Sequence, residues 1–439
     1  MGDKLINTIE TLSRLGVHIP EILLPAPEAD LSKWAVVACD QYTSEREYWK
    51  EAETLTAGAP STLNIVFPEV YLEDGDGEKR ISGINSTMKN YLEQGVLSAL
   101  DKCFILVDRK TSHAPSRKGL MLALDLECYD YNKGSNALIR ATEGTVLDRL
   151  PPRIKIRQNA PIELPHIMVL IDDPQKTVIE PLAEKCARLE KLYDFELMMN
   201  GGHIKGYKVS APEDLASVAS ALEKLAQTEI FRSKYHIDAS RALLLFAVGD
   251  GNHSLASAKG HWENLKKSLS PQQLENHPAR YALVELVNVH DDGLVFEPIH
   301  RVLFNVEPQS MLNEFQAFYG STGSCCSENT AHTFSYITDK GEGTVAIANP
   351  ASNLEVGTLQ VFLDSYMKEH PQVKIDYIHG EEVVRKLGSQ QGNMGIFLPS
   401  MNKTDLFKTV ILDGALPRKT FSMGEAEEKR FYLECRRIL

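Results

Sequence analysis

The chain has 439 residues, 43% of them hydrophobic, and carries 47 basic against 60 acidic side chains for a formal net charge of −13. This length and apolar content supply a large buried core and suggest two or three domains. The acidic balance argues against a general nucleic-acid binder, and no run of about 18 apolar residues is present to span a membrane.

The opening MGDKLINTIETLSRLGVHIP has neither the apolar core of a secretory signal nor the Arg-rich character of a transit segment. It is also a poor myristoylation match, so a cytoplasmic location is expected. Seven cysteines, an odd number without a CxxC pair, read as reduced thiols. Of these, the adjacent Cys325-Cys326 could serve redox or metal chemistry, but the simpler reading is preferred. Short Val-, Ile-, Leu- and Phe-rich runs predict buried strands at Trp34–Cys39, Phe104–Val107, His166–Ile171, Leu243–Val248 and Thr344–Ala348. The stretch 111–119 reads as an exposed loop. Leu182, Cys186, Leu189, Tyr193 and Leu197 fall at helical spacing. A capping box at Ser210–Glu213 opens a second helix through Leu215 and Leu222, and Leu255, Ala258, Trp262 and Leu265 mark a third. The mixture predicts an α/β fold of the mixed α+β kind, with the main domain or domains over residues 1–304. A smaller C-terminal α/β domain is expected over 305–439, with a surface loop at Ser321–Thr333.

The stretch most suited to chemistry is Gly249-Asp250-Gly251-Asn252-His253-Ser254, where a continuous apolar strand ends abruptly before a helix. Gly249 and Gly251 permit a tight turn, and Asn252 or Ser254 can open the helix. Main-chain N–H groups at a helix start, with the positive end of its dipole, form a natural site for phosphate or carboxylate. Asp250 suits that site if a divalent ion bridges it to phosphate oxygens. His253 is a candidate donor or acid. The structural alternative makes Asp250 and Asn252 turn formers and His253 a cap.

A basic stretch holds Arg140, Thr142, Arg149, Arg153, Lys155 and Arg157, with Glu143 as a candidate base or ion-pair partner. On a strand, Arg153, Lys155 and Arg157 would share one face and grip an anion; the plain alternative is a solvated basic face. Asp172-Asp173 follows a strand and could hold a metal or cap a helix. His203 follows two glycines that allow close ligand approach. Asp40, Ser44 and Glu45 sit in a polar loop after the first strand. Glu285 lies on the apolar face of a predicted strand and needs a partner if buried. No Walker loop, GxSxG, HExxH or GxGxxG is present.

Taken together, Asp40-Gln-Tyr-Thr-Ser-Glu45, Arg140-Ala-Thr-Glu-Gly-Thr145, Leu164–Asp173, Gly201-Gly-His203, Gly249–His253 and Leu416–Met423 resemble the bacterial and archaeal DUF1015 family. The Asp-Gly-Asn-His turn is also similar to the Asp-Gly-His motif of the ParB/sulfiredoxin-like superfamily, which includes free L-serine kinases. The resemblance implies a ParB-like core and phosphoryl transfer from ATP, or ADP or pyrophosphate, to the hydroxyl of free L-serine or a close analogue. Asp250 and His253 would then meet phosphate and Mg²⁺, with Glu45 or Glu143 as base. Gly249, Gly251, Asn252, Ser254, Arg140, Thr142, Arg153 and His203 would line the ligand site, and Asp172 would be a second metal candidate. The family's more frequent Asp-Gly-His-His-Arg reads Asp-Gly-Asn-His-Ser here, so Arg140 or Arg153 is expected to replace the lost charge. A nucleotide-binding regulatory protein and a nucleotide or phosphoester hydrolase are the alternatives. The expected partners are small molecules, with a homodimer left open.

Overall fold

The computed structural model describes residues 2–320, 331–350 and 352–439. The Cys325-Cys326 pair and most of the expected 321–333 loop lie outside the described residues. The fold is mixed α+β, in two compact units. The first comprises Met1–Leu294 together with Gly424–Leu439, and the second is Val295–Met423. The second unit thus starts before residue 305, and the residues after Met423 return to the first.

The first unit is organised by one large mixed sheet. Its main strands are β1 (Phe104–Lys110), β2 (Arg117–Asp125), β3 (Tyr129–Asp130), β4 (Ile139–Ala141), β5 (Met168–Ile171), β6 (Glu190–Leu197), β7 (Gly202–Val209), β8 (Phe246–Asp250) and β9 (Tyr281–Asn288). They lie in the order β6-β7-β1-β2-β9-β5-β8-β4-β3. The central strands are apolar on both sides because both faces are covered. Leu120, Leu122 and Leu124 of β2 join one buried cluster, while Met121 of the same strand joins the cluster on the other face. β5 runs parallel to β9 and antiparallel to β8, with Met168 opposite Asp250. The ends of β5 and β8 therefore point to opposite edges of the sheet.

Four helices bear on the site: α1 (Arg46–Thr56), α2 (Gly77–Glu93), α3 (Leu150–Arg157) and α4 (Asn252–Leu265). The run Arg153–Arg157 is helical, not a strand, because Pro151 and Pro152 occupy the first helical positions, where a missing N–H costs nothing. Arg153 and Arg157 therefore share a face, whereas Lys155 reaches outward to Glu78, 2.5 Å away. The expected helix through Leu182–Leu197 is also corrected. Glu180–Ala183 is a short helix, but Glu190–Leu197 is the edge strand β6. Tyr193 and Leu197 are its buried residues, and a spacing of four satisfies a period of two as well as one of 3.6. Residues 111–116 do form a loop, whereas Arg117 already opens β2 and is buried.

The second unit is a sheet of β10 (Glu297–Phe304), β11 (His332–Thr338), β12 (Gly341–Ile347), β13 (Lys374–His379) and β14 (Asn393–Phe397) in the order β12-β11-β14-β10-β13. Buried Val302, Ile337, Val384 and Phe397 pack together within it.

Candidate active site

β8 ends at Asp250, and the chain turns into α4 through Gly251, which has φ +75°. A Cβ at Gly251 would lie 3.0 Å from Ile167 Cα, so only glycine suits both the backbone conformation and the space. Gly249 stays within the strand and has no positive φ, so the unusual backbone expected at both glycines occurs at one. No side chain caps the start of α4.

Asp250 Oδ1 accepts the Gly251 N–H at 2.9 Å, and its Oδ2 lies 3.6 Å from Lys429 Nζ. Asn252 turns inward: its Oδ1 accepts the Thr142 N–H at 3.3 Å, while the Thr142 hydroxyl donates to the Val248 carbonyl at 2.6 Å. These two expected ligand residues therefore build the turn. His253 Nε2 accepts the Val146 N–H at 3.3 Å, which commits that nitrogen to holding the 142–146 loop.

Ser254, in the first turn of α4, places its hydroxyl 3.2 Å from His166 Nε2. The same nitrogen faces Asp40 Oδ2 at 3.4 Å, and Nδ1 pairs with the Tyr432 hydroxyl at 2.8 Å. Tyr432 in turn donates to Cys39 Sγ at 2.9 Å and accepts the Cys39 N–H at 3.2 Å. His166 is buried, whereas the Asp40 side chain keeps 29% of its exposure. Burial drives the His166 imidazole down, but the Asp40 charge and hydrogen bond, with the Asp250 and Glu69 charges, outweigh it and leave the ring above its ordinary 6.5. Burial would raise the Asp40 carboxyl; the His166 charge and hydrogen bonds from His166 and Gln41 outweigh that and hold it well below the carboxylate range. Burial pushes the Cys39 thiol up, which makes it a hydrogen-bond partner rather than a nucleophile.

A cavity of about 160 Å³ opens beside this cluster. His166, Ser254, Ser257 and Tyr432 form part of its wall, and Arg153 and Arg157 of α3 line another part. Arg153 pairs with Glu69, and Arg157 with Glu163.

The remaining expected site residues lie elsewhere. Arg140 donates to the carbonyls of Ala137, Ala242 and Leu243 at 2.7–3.0 Å, at the edge where β8 begins. It staples the sheet rather than replacing the charge at the turn. His203 is held between Asp194 and Glu196 of the neighbouring strand, at 2.6 and 2.7 Å, and β1, β2, β9 and β5 separate its strand from β8. Asp172 accepts from His290 at 2.7 Å and Tyr235 at 2.6 Å, and pairs with Lys234 at 2.8 Å. It follows the far end of β5 and, at about 3.3 Å per strand residue, cannot share an ion with Asp250. Glu45 is exposed at the start of α1; the carboxylate that reaches His166 is Asp40. Glu143 is half-buried beside Thr142. Glu285 is buried and paired with Arg430 at 2.9 Å, a structural role. Among the described residues no group of three or more His, Cys, Asp or Glu side chains could hold a metal ion.

Sequence reading missed His166, Lys429 and Tyr432 as site residues. His166 had a signal: a polar residue opening a buried strand. Lys429 and Tyr432 had none, because only the return of the chain to the first unit brings Lys429 beside Asp250 and Tyr432 beside His166.

This is a mixed α+β protein with a helix-start turn and a polar cluster at one sheet edge. Residues 21–366 match the family described as "Protein of unknown function (DUF1015)", and the chain belongs to that family. No curated protein matches it. Among solved structures it is similar to a free serine kinase variant in complex with AMP, at 9% identity and TM-score 0.37, covering 74% of this chain and 94% of that one. A free serine kinase variant with ADP gives 9% identity and TM-score 0.35 over the same shares. A conserved hypothetical protein from Pyrococcus furiosus gives 10% identity and TM-score 0.32, covering 71% of this chain and 90% of that one. No helix among the described residues is long and apolar enough to cross a membrane.

Proposed function

We propose that this protein is a small-molecule phosphotransferase that moves a phosphoryl group from ATP, ADP or pyrophosphate to the hydroxyl of free L-serine or a close analogue. The observation that carries this reading is the start of α4. No side chain caps it, Asp250 and Lys429 flank it, and the Asp40–His166 pair lies against its first turn through Ser254. Helix-start N–H groups and the Lys429 ammonium would hold donor phosphates. Phosphoryl transfer asks the protein mainly for positioning and charge neutralisation. The acceptor oxygen forms its bond to phosphorus as the bond to the leaving oxygen breaks, and a carboxylate takes the hydroxyl proton. Asp40, held ionised beside His166, is the carboxylate best placed for this; Glu143 is the second candidate.

A fully protein-built metal cage is not available in the described residues. One carboxylate nevertheless fits Mg²⁺, which is commonly held by one or two carboxylates, substrate phosphates and water. Asp250 would hold it, and the ion would neutralise charge on the donor. A ParB-like core is part of the same reading.

The test is to incubate the full chain with Mg²⁺, L-serine and each donor in turn and to follow phosphoserine by ³¹P NMR. Folded protein that phosphorylates neither serine nor a substituted serine with any donor sinks the proposal. Inorganic phosphate released without acceptor would instead identify a hydrolase, and nucleotide affinity without turnover a regulatory binding protein.

A further inference from the structure

The cavity beside the polar cluster narrows the acceptor that the proposed transfer would use. Much of its lining is apolar, with Ile65, Phe67, Leu72, Met88, Ile156 and Leu164 among the contributors. The charged side chains on its wall are each engaged in an ion pair: Arg153 with Glu69, and Arg157 with Glu163, which also takes Arg436 at 2.6 Å. One donor, Arg157 Nε, lacks a hydrogen-bond partner among the described residues. The Ser257 hydroxyl is spent on the His253 carbonyl at 2.7 Å. A free serine zwitterion seated among these apolar side chains would find no uncommitted carboxylate for its ammonium and only the Arg157 Nε–H for its carboxylate, which is unfavourable. At about 160 Å³ the space matches an apolar cavity of about 150 Å³ that takes a benzene ring.

We propose that the cavity is the binding site for an apolar arm of the acceptor, a β-substituted serine whose side group is about the size of a phenyl ring. Its amino-acid head meets Asp40, His166 and Ser254, and the arm enters the chamber between α2 and α3. This rests on the serine-type acceptor assigned above, and it adds what distinguishes that acceptor from serine itself.

Titration calorimetry of the full chain without any phosphate donor, using β-phenylserine and L-serine as probes, tests it. Burial of the phenyl group makes phenylserine bind about ten- to a hundredfold tighter than serine. Met88→Trp and Ile156→Phe, each checked for native circular dichroism, fill the chamber from α2 and from α3 and remove that preference. Two variants guard against misfolding of one, because Met88 is buried and Ile156 only half-buried. Serine binding as tightly as phenylserine, binding of neither, or a preference that survives in the folded filled variants overturns the inference. A preference for phenylserine without transfer from ATP, ADP or pyrophosphate would remove the phosphotransferase reading and leave the cavity assignment standing.

Discussion

Tyr432→Phe is the most informative single change, because it deletes one oxygen and keeps the ring. That oxygen accepts the Cys39 N–H at 3.2 Å, meets His166 Nδ1 at 2.8 Å and donates to Cys39 Sγ at 2.9 Å. With His166 charged, Nδ1–H must donate to it, so the variant strands two buried donors, one of them cationic. A neutral buried group left unsatisfied costs about 1–3 kcal/mol, and a charged one more. The thiol loses only a weak contact. The expected loss is therefore about 2–4 kcal/mol in urea unfolding at pH 6, most of it from His166. It shrinks above the folded His166 pKa, because the neutral ring can leave Nδ1 without a proton. ¹⁵N NMR of the ring reports the accompanying change directly. A loss below about 0.5 kcal/mol with an unmoved His166 titration would refute the assigned hydrogen-bond order.

The Asp40–His166 pair predicts a pH window. Asp40, lowered from its ordinary 3.8, contributes stability above that value and loses it as pH falls through its folded pKa. His166, raised from 6.5, contributes fully below that value and loses it as pH rises through its folded pKa. Stability from the pair is thus greatest between about pH 4 and 6.5, and Asp40→Asn should flatten the profile measured by urea midpoints. Lys429→Met should weaken pyrophosphate binding about tenfold by calorimetry. Its stability should stay within about 0.5 kcal/mol, because Arg109 holds the main-chain carbonyl of this residue, not its side chain. Arg140→Met should do the reverse, costing about 3 kcal/mol through three stranded carbonyls with pyrophosphate affinity unchanged. Asp250→Asn should abolish transfer while stability moves by less than about 1 kcal/mol, since an amide oxygen can still accept the Gly251 N–H.

The strand–turn–helix at Asp250 was legible because its signals are local: an apolar run, a glycine that must take a positive φ, and a helix stripe through Leu255, Ala258 and Trp262. The basic stretch was legible in composition but not in geometry. Alternation of Arg153, Lys155 and Arg157 suggested one face, while the two preceding prolines, which decide for a helix, carried the better signal. Arg140 shows the limit of residue type as a guide. A guanidinium suits phosphate, yet it serves equally well to satisfy carbonyls at a strand end. Asp40 stood in a loop correctly marked as polar, but Glu45 in that loop matched the expected role by name, and only the structure shows which carboxylate meets His166.

The return of residues 424–439 to the first unit bears on how this protein is made. A ribosome must translate the whole of 295–423 before Lys429 and Tyr432 exist, and domains generally fold as units during synthesis. The nascent first unit therefore waits with Asp250 unpaired by Lys429 and His166 unpaired by Tyr432 until the inserted unit has been translated. A premature stop inside that insertion leaves a sheet whose chemistry was never assembled.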